Sequence, residues 1–454
     1  MKNKNAVFES MPVPRAVATL AIPTVLSMLV TVIYNMADTY FVGQTGDPNQ
    51  VAAVSLTMPI FMVLMAIGNM FGIGGSSYIS RLLGEGQKKK VKNVSSFCFY
   101  GCIGTGIIMI VVFLLGMDWL LKLIGASQNT FAYAKSYLTY IAIGAPFVII
   151  SNAFSNIVRG EGAAKVAMIG MMLGTIVNII LDPIMILSMG MGVSGAALAT
   201  IIGNIASTVF YIMYFLRGKS SLSISPKEFR INGIAKGVLS TGIPATINNI
   251  LMSLANIMLN NFLVIYGDIP VAAMGVALKA NMLVIMLQLG LAMGIQPLVG
   301  YNYGSGNYKR MKSVMKFSIG CTFIIGSVLT LIYYFGARQI ISMFISDNAV
   351  IENGVSMLRA LMVSGPVIGI LFVFMFTMQA MGKALPSLIL SLSRQGVVFL
   401  PVLFIANKLF KLDGIIFAQP IADSTSVLIS AFIFFIISKR LKDVDEHTPN
   451  INDI

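Results

Sequence analysis

The sequence predicts an all-α polytopic membrane protein, with twelve transmembrane helices arranged as two pseudo-symmetric six-helix bundles. Three observations carry this. Hydrophobic residues make up 57% of the chain and charged residues 11%, and the mean hydropathy is +0.85. An ordinary soluble domain is far more polar. Twelve segments reach the roughly 20 apolar residues that a bilayer crossing needs: 16–42, 51–80, 93–116, 132–156, 164–187, 194–216, 236–266, 270–301, 311–336, 350–379, 385–407 and 414–438. The chain also repeats itself. Ile22-Pro23 recurs as Ile243-Pro244, Val51-Ala52-Ala53 as Val271-Ala272-Ala273, Gly84-Glu85-Gly86 as Gly304-Ser305-Gly306, and Ala145-Pro146 as Gly365-Pro366. A nearly constant offset of about 220 residues marks a duplicated unit. Six spans per half return the chain to its starting side, so the halves are expected to be parallel repeats about an axis along the membrane normal.

The elements follow in order. A short polar stretch precedes the first span, which is too long for the h-region of a cleavable signal and reads as an uncleaved anchor. Residues 1–217 form the amino-terminal lobe. Residues 218–235, polar and basic with Ser225-Pro226, read as a cytoplasmic linker. Residues 236–454 form the carboxy-terminal lobe, ending in a charged cytoplasmic tail expected to be disordered at its end. The remaining connections are short, with Gly, Pro and Asn at the breaks.

The formal net charge of +14 invites a nucleic-acid reading. Its placement opposes that. Most Lys and Arg fall on one side of the predicted topology, at Lys88-Lys89-Lys90, 217–236, Lys309-Arg310 with Lys312, and 439–442. This is the positive-inside bias of a membrane protein with both termini cytoplasmic. The partner it implies is the lipid bilayer, not nucleic acid. Cys98, Cys102 and Cys321 sit in apolar segments and suggest neither a disulfide framework nor a metal site. His447 is the single histidine. A proton relay therefore cannot use imidazole within the spans, and a zinc hydrolase lacks its usual ligands. No nucleophile–base pair falls within the spans, so an enzyme is not expected, nor any organic cofactor.

Three acids lie in the interiors of predicted spans: Asp38, Asp182 and Asp423. Each costs about 2.5–3.5 kcal/mol at a helix centre on insertion scales, so each is a functional candidate. Asp38 and Asp182 both precede the outer ends of their spans by about five residues, roughly 8 Å at the helical rise. Thr200 enters from the same side, and Asn178 lies one turn from Asp182 on the same face. Together they form an all-oxygen set suited to a hard cation or a shared proton. Two carboxylates brought close disfavour double ionisation and would titrate as a unit.

The first span carries a polar stripe of Thr24, Ser27, Thr31, Asn35 and Asp38. The seventh matches it with Thr246, Asn249, Ser253, Asn256 and Asn260. Such faces belong against protein or a watery cavity. Interhelical hydrogen bonding explains them too, but two symmetry-related stripes favour a central vestibule. Candidate cavity residues are Tyr34, Asn35, Asn256 and Asn260, with Asn281 and Gln288 extending the surface on the eighth span. Lys279 and Arg394 lie within spans and are expected to meet helix termini, carbonyls or acids. Asp423 is a candidate partner for either. Pro183 denies the carbonyl of Ile179 its helical donor, which allows either a bend beside Asp182 or the end of the fifth span.

At this point the residues resemble a known family, the multidrug and toxic compound extrusion transporters. The resemblance is carried by IPTVLSMLVTVIYNMADTYFVG at 22–43, SYISRLLGEG at 77–86, RGEG at 159–162, VNIILDPIMI at 177–186 and GAALAT at 195–200. In the second half it is carried by QPLVGYNYG at 296–304, QAMGK at 379–383, SRQGVVFLP at 393–401 and AQPIAD at 418–423. It spans nearly the whole chain and is closest to the bacterial MepA-like branch. The resemblance implies two six-helix lobes around a cleft. It implies export of lipophilic, mostly cationic compounds by Na+ or H+ antiport, from a monomer in a bacterial plasma membrane. It assigns the coupling site to Asp38, Asn178, Asp182 and Thr200, with no metal beyond Na+ there. Relatives that use acids on the seventh and tenth helices are not matched, and Asp423 matches an acidic position of open role. The alternative is a lipid-linked oligosaccharide flippase of the same superfamily. The interiors of the spans, away from their ends, hold more acids than bases, which favours cationic cargo.

Overall fold

The computed structural model describes residues 6–218 and 220–446, and among them there is no strand. His447 and the tail beyond it lie outside the described residues. The helices are α1 (Ala6–Glu9), α2 (Val13–Gly43), α3 (Pro48–Gly84), α4 (Lys88–Leu123), α5 (Gln128–Gly160), α6 (Ala164–Asp182), α7 (Val193–Leu216), α8 (Ile234–Val264), α9 (Asp268–Gly304), α10 (Tyr308–Phe335), α11 (Ala337–Ser342), α12 (Asn348–Met362), α13 (Gly365–Ala380), α14 (Ala384–Leu392) and α15 (Phe399–Glu446). Local chemistry sets their ends. Asp47 accepts from the Asn49 amide at 2.9 Å with Pro48 in the first helical position, and Ser127 and Thr130 cap α5 reciprocally. The duplication reaches the turns. Gly86 after α3 and Gly306 after α9 share left-handed φ values of 72° and 74°, where a side chain would be strained.

Among the described residues, ten helical stretches are long and apolar enough to cross a membrane, and a bent pair makes eleven. One of the ten runs from Ala384 to Lys439, 56 residues. That is more than twice the length of one crossing. Lys411 interrupts it with φ 53° and ψ −129°. Divided there, it supplies two spans and restores the twelve expected.

The bent pair is α12 and α13, which meet at 49° within the expected tenth span. Pro366 has no amide hydrogen for the carbonyl of Met362. Thr330 donates to that carbonyl at 3.1 Å instead, and Gln288 donates to the carbonyl of Gly365 at 2.9 Å. Side chains of neighbouring helices thus satisfy a break that lipid would not tolerate.

By packing, the chain divides into Leu26–Thr246 and a second unit joining Met1–Val25 to Ile247–Ile454. The boundaries fall inside α2 and α8 rather than in the polar connection around 218–235. Glycine is the physical reason. In the second unit Gly294 of α9 lets the backbone of Ala21 approach so closely that a Cβ there would lie 2.5 Å from the Ala21 Cα. In the first, a Cβ on Gly74 of α3 would lie 2.2 Å from the Val238 carbonyl oxygen of α8. Within Leu26–Thr246, α5 is the central helix, buried along most of its length, with α3, α4, α6 and α7 around it. In the second unit α9 is largely enclosed, touching α10, α12 and α13. There α1 is tied down: Phe8 stacks on Tyr301 at 4.6 Å, and Arg310 donates to the carbonyls of Phe8 and Met11 at 2.7 and 2.6 Å.

Candidate cation site

Asn178 and Asp182 lie one turn apart on α6, so both side chains leave the same face. Thr200 faces them from α7. All three are buried. The amide of Asn178 is satisfied at both ends when its nitrogen donates to Asp182 Oδ2 at 3.1 Å and its oxygen accepts from the Thr200 backbone N–H at 3.0 Å. The Tyr34 hydroxyl of α2 is 3.3 Å from Thr200 Oγ1. One turn on, Asp38 interacts electrostatically with Asp182. Its Oδ1 is buried and has no hydrogen-bond partner. Such an atom is costly in a stable fold unless something else occupies it. Tyr137 of α5, unremarked in the sequence reading, lies within electrostatic reach of Asp38, Tyr34 and Asp182. Nothing in the sequence separates it from Tyr133 or Tyr140 of the same span.

Beyond Asp182 the backbone neither kinks sharply nor stops. It widens into a π-helical segment, Pro183–Ser188, and the span continues. Proline removes one α-type bond, and the wider i→i+5 pattern absorbs the loss. The result is a cluster of carboxylate, amide and hydroxyl oxygens within Leu26–Thr246. Oxygens of these types suit a hard monovalent cation or a proton. Among the described residues, no group of three His, Cys, Asp or Glu converges.

The other candidates separate. In the second unit Arg394 Nε donates to Asp423 Oδ1 at 2.9 Å, so Asp423 takes Arg394 as its partner. Gln419 and Ser364 add bonds to the same carboxylate at 2.8 and 3.1 Å. Lys279 is exposed on α9 and stands apart from that pair. Asn256 and Asn281 line a cavity of about 70 Å³ beside Arg394. Asn260 is exposed, Asn35 is half-buried, and Gln288 is fully buried at the α12–α13 break rather than on the cavity wall.

Comparison with known proteins fits this architecture. A family model described as MatE matches residues 23–184 and again 244–405, once in each repeat. Multidrug export protein MepA of Staphylococcus aureus strain MRSA252 is 37% identical over 438 residues, covering 96% of both chains. The protein of the same name from Staphylococcus saprophyticus is 36% identical over 435 residues, again with 96% coverage of each. Among solved structures, an outward-facing multidrug resistance MATE family transporter of the MOP superfamily aligns with a TM-score of 0.92 at 27% identity, over 98% of this chain and 99% of its own. A MOP superfamily transporter from Pyrococcus furiosus, whose binding pocket is described as of reverse polarity, gives 0.92 at 28% identity, over 97% and 99%. A family model matched in both halves and relatives above one-third identity across the whole length have one consequence: the chain belongs to the MatE family, the multidrug and toxic compound extrusion transporters, and is a multi-pass membrane transporter.

Proposed function

We propose that this transporter exports lipophilic, mostly cationic compounds across the plasma membrane of a bacterium, with its termini in the cytoplasm, by antiport with Na+ or H+. The observation that carries the coupling half is the pocket that unites Asp38, Asp182, Asn178, Thr200 and Tyr34, with one buried Asp38 oxygen lacking a protein partner. A cation or proton entering from outside supplies that partner. Relatives named as multidrug exporters support the efflux half and favour it over the oligosaccharide flippase. Coupling requires only that the cation and the cargo differ in their affinities for the two facing states. Each then lowers the affinity for the other by the same factor. Asp38 and Asp182 do this by holding the cation in one state and releasing it in the other.

The test uses purified protein in liposomes loaded with a cationic dye. A sodium gradient and then a pH gradient are imposed separately. Dye movement driven by one gradient identifies the coupling ion, whereas movement indifferent to both removes the antiport reading. Flux at channel rates without fixed stoichiometry removes it equally.

A further inference from the structure

The Arg394–Asp423 pair is not used by the cation site, and its geometry is asymmetric. Asp423 is engaged at both oxygens: Oδ1 accepts from Arg394 Nε and from Gln419, and Oδ2 accepts from the Ser364 hydroxyl, which is shared with the Leu361 carbonyl. Of Arg394 only Nε is engaged, and its two terminal nitrogens make no hydrogen bond with any described residue. One face of the guanidinium lies 5.2 Å from the Phe372 ring centre. A guanidinium that merely neutralises a carboxylate does so best through two parallel bonds. Here it is clamped through one edge nitrogen and stacked on a ring. That fixes its plane and leaves the two-nitrogen edge unused, which is the fork that fits a carboxylate bidentately.

Arg394 lines the cavity together with its partner Asp423 and with Asn256, Asn281, Gln395 and Gln419, and most of the remaining wall is apolar, with Met252 and Leu278. We propose that this cavity receives the carboxylate end of zwitterionic amphipathic cargo, held by the free edge of Arg394. The pair is already neutral, so an added carboxylate leaves one negative charge in excess. A cargo that brings its own cation removes the excess. At about 70 Å³ the cavity holds a carboxyl group and a few waters, not a drug-sized molecule. The body of the cargo therefore stays outside it. This rests on the efflux reading for its physiological meaning but not for its test.

The test is equilibrium binding to the full chain in lipid nanodiscs, with no gradient. The probes are a fluorescent pyridinium dye with a carboxypropyl tail and the methyl ester of the same dye. A charge-assisted bidentate contact predicts that wild-type protein binds the acid at least about tenfold more tightly than the ester. In Arg394→Gln the acid-to-ester affinity ratio falls to about one. Because that change leaves Asp423 buried and unpaired, the double variant Arg394→Gln with Asp423→Asn is measured as well, and the same fall is expected. Equal binding of acid and ester by wild type, or a ratio that survives in the double variant, overturns the proposal. Asp38→Asn separates the two readings. Loss of gradient-driven efflux with the ratio intact supports both, and a ratio that collapses in Asp38→Asn assigns the carboxylate preference elsewhere and overturns this one.

Discussion

Replacing Asp38 by Asn removes one of two carboxylates from the pocket while keeping its shape. At about 4 Å and an effective dielectric near 20, one unit charge contributes about 4 kcal/mol to holding a cation. That corresponds to roughly a thousandfold in affinity. The fold should not suffer in proportion. Asp38 Oδ1 has no protein hydrogen bond to lose, and neutralising a poorly partnered buried group is neutral or favourable to stability. Asp182→Asn differs, because Asp182 accepts from Asn178. That change keeps an amide oxygen to accept from Asn178 but turns a charge-assisted bond into a neutral one of about half its strength, at a cost of about 1 kcal/mol, and it places an NH2 where the second carboxylate oxygen stood. Two readouts therefore diverge. In proteoliposomes both variants lose ion-driven dye efflux, and the half-saturating concentration of the driving ion rises by orders of magnitude. In thermal unfolding Asp38→Asn matches or exceeds wild type, while Asp182→Asn melts lower. The double variant transports no better than either single one, since both carboxylates serve one bound ion. Ion-driven efflux by Asp38→Asn at the wild-type rate, with half-saturation within about threefold, would refute the shared-pocket reasoning.

Other outcomes follow from particular contacts. Arg394→Gln alone strands the buried carboxylate of Asp423 and should cost about 3–5 kcal/mol. Adding Asp423→Asn should recover most of it, as read from unfolding in nanodiscs. Gly74→Ala forces a methyl group against the Val238 carbonyl, so α3 and α8 must separate at a cost of about 1–3 kcal/mol. An unchanged melting temperature would contradict that packing. Arg310→Ala removes donors to the carbonyls of Phe8 and Met11, and amide hydrogen exchange in residues 6–12 should accelerate at least tenfold while α9 stays protected. Tyr137→Phe removes a hydroxyl near both acids and should shift the half-saturating ion concentration severalfold without lowering expression. Equal half-saturation would exclude the hydroxyl from the ion's shell.

Much of the architecture was legible because it is local. Apolar length marked the crossings, and the split of 384–439 at Lys411 fell in the gap between the expected eleventh and twelfth spans. Asp38, Asn178, Asp182 and Thr200 were identifiable by depth, since residue count along a helix converts directly to height. What depth does not convey is rotation about the helix axis. Tyr137 was therefore missed among its neighbours, and Gln288 was placed on a cavity wall when it caps the α12–α13 break. Pro183 left a bend or a stop equally open, and the backbone took a third course, a π-helical widening. Pro366 bends its span at the α12–α13 break, where Thr330 satisfies the freed carbonyl of Met362 and Gln288 donates to that of Gly365.

By itself, then, the amino-acid order determined the duplication and the crossings, both consequences of backbone geometry and of the cost of polar atoms in lipid. Which side chains meet was decided only by tertiary packing. Glycines at 74 and 294 admit helices of distant sequence to backbone contact and so divide α2 and α8 between two units. The partnership of Arg394 with Asp423, and of Asn178 with Asp182 and Thr200, depends on that lateral arrangement, because hydrogen bonds require a few tenths of an ångström of lateral placement that no periodicity along a single helix specifies.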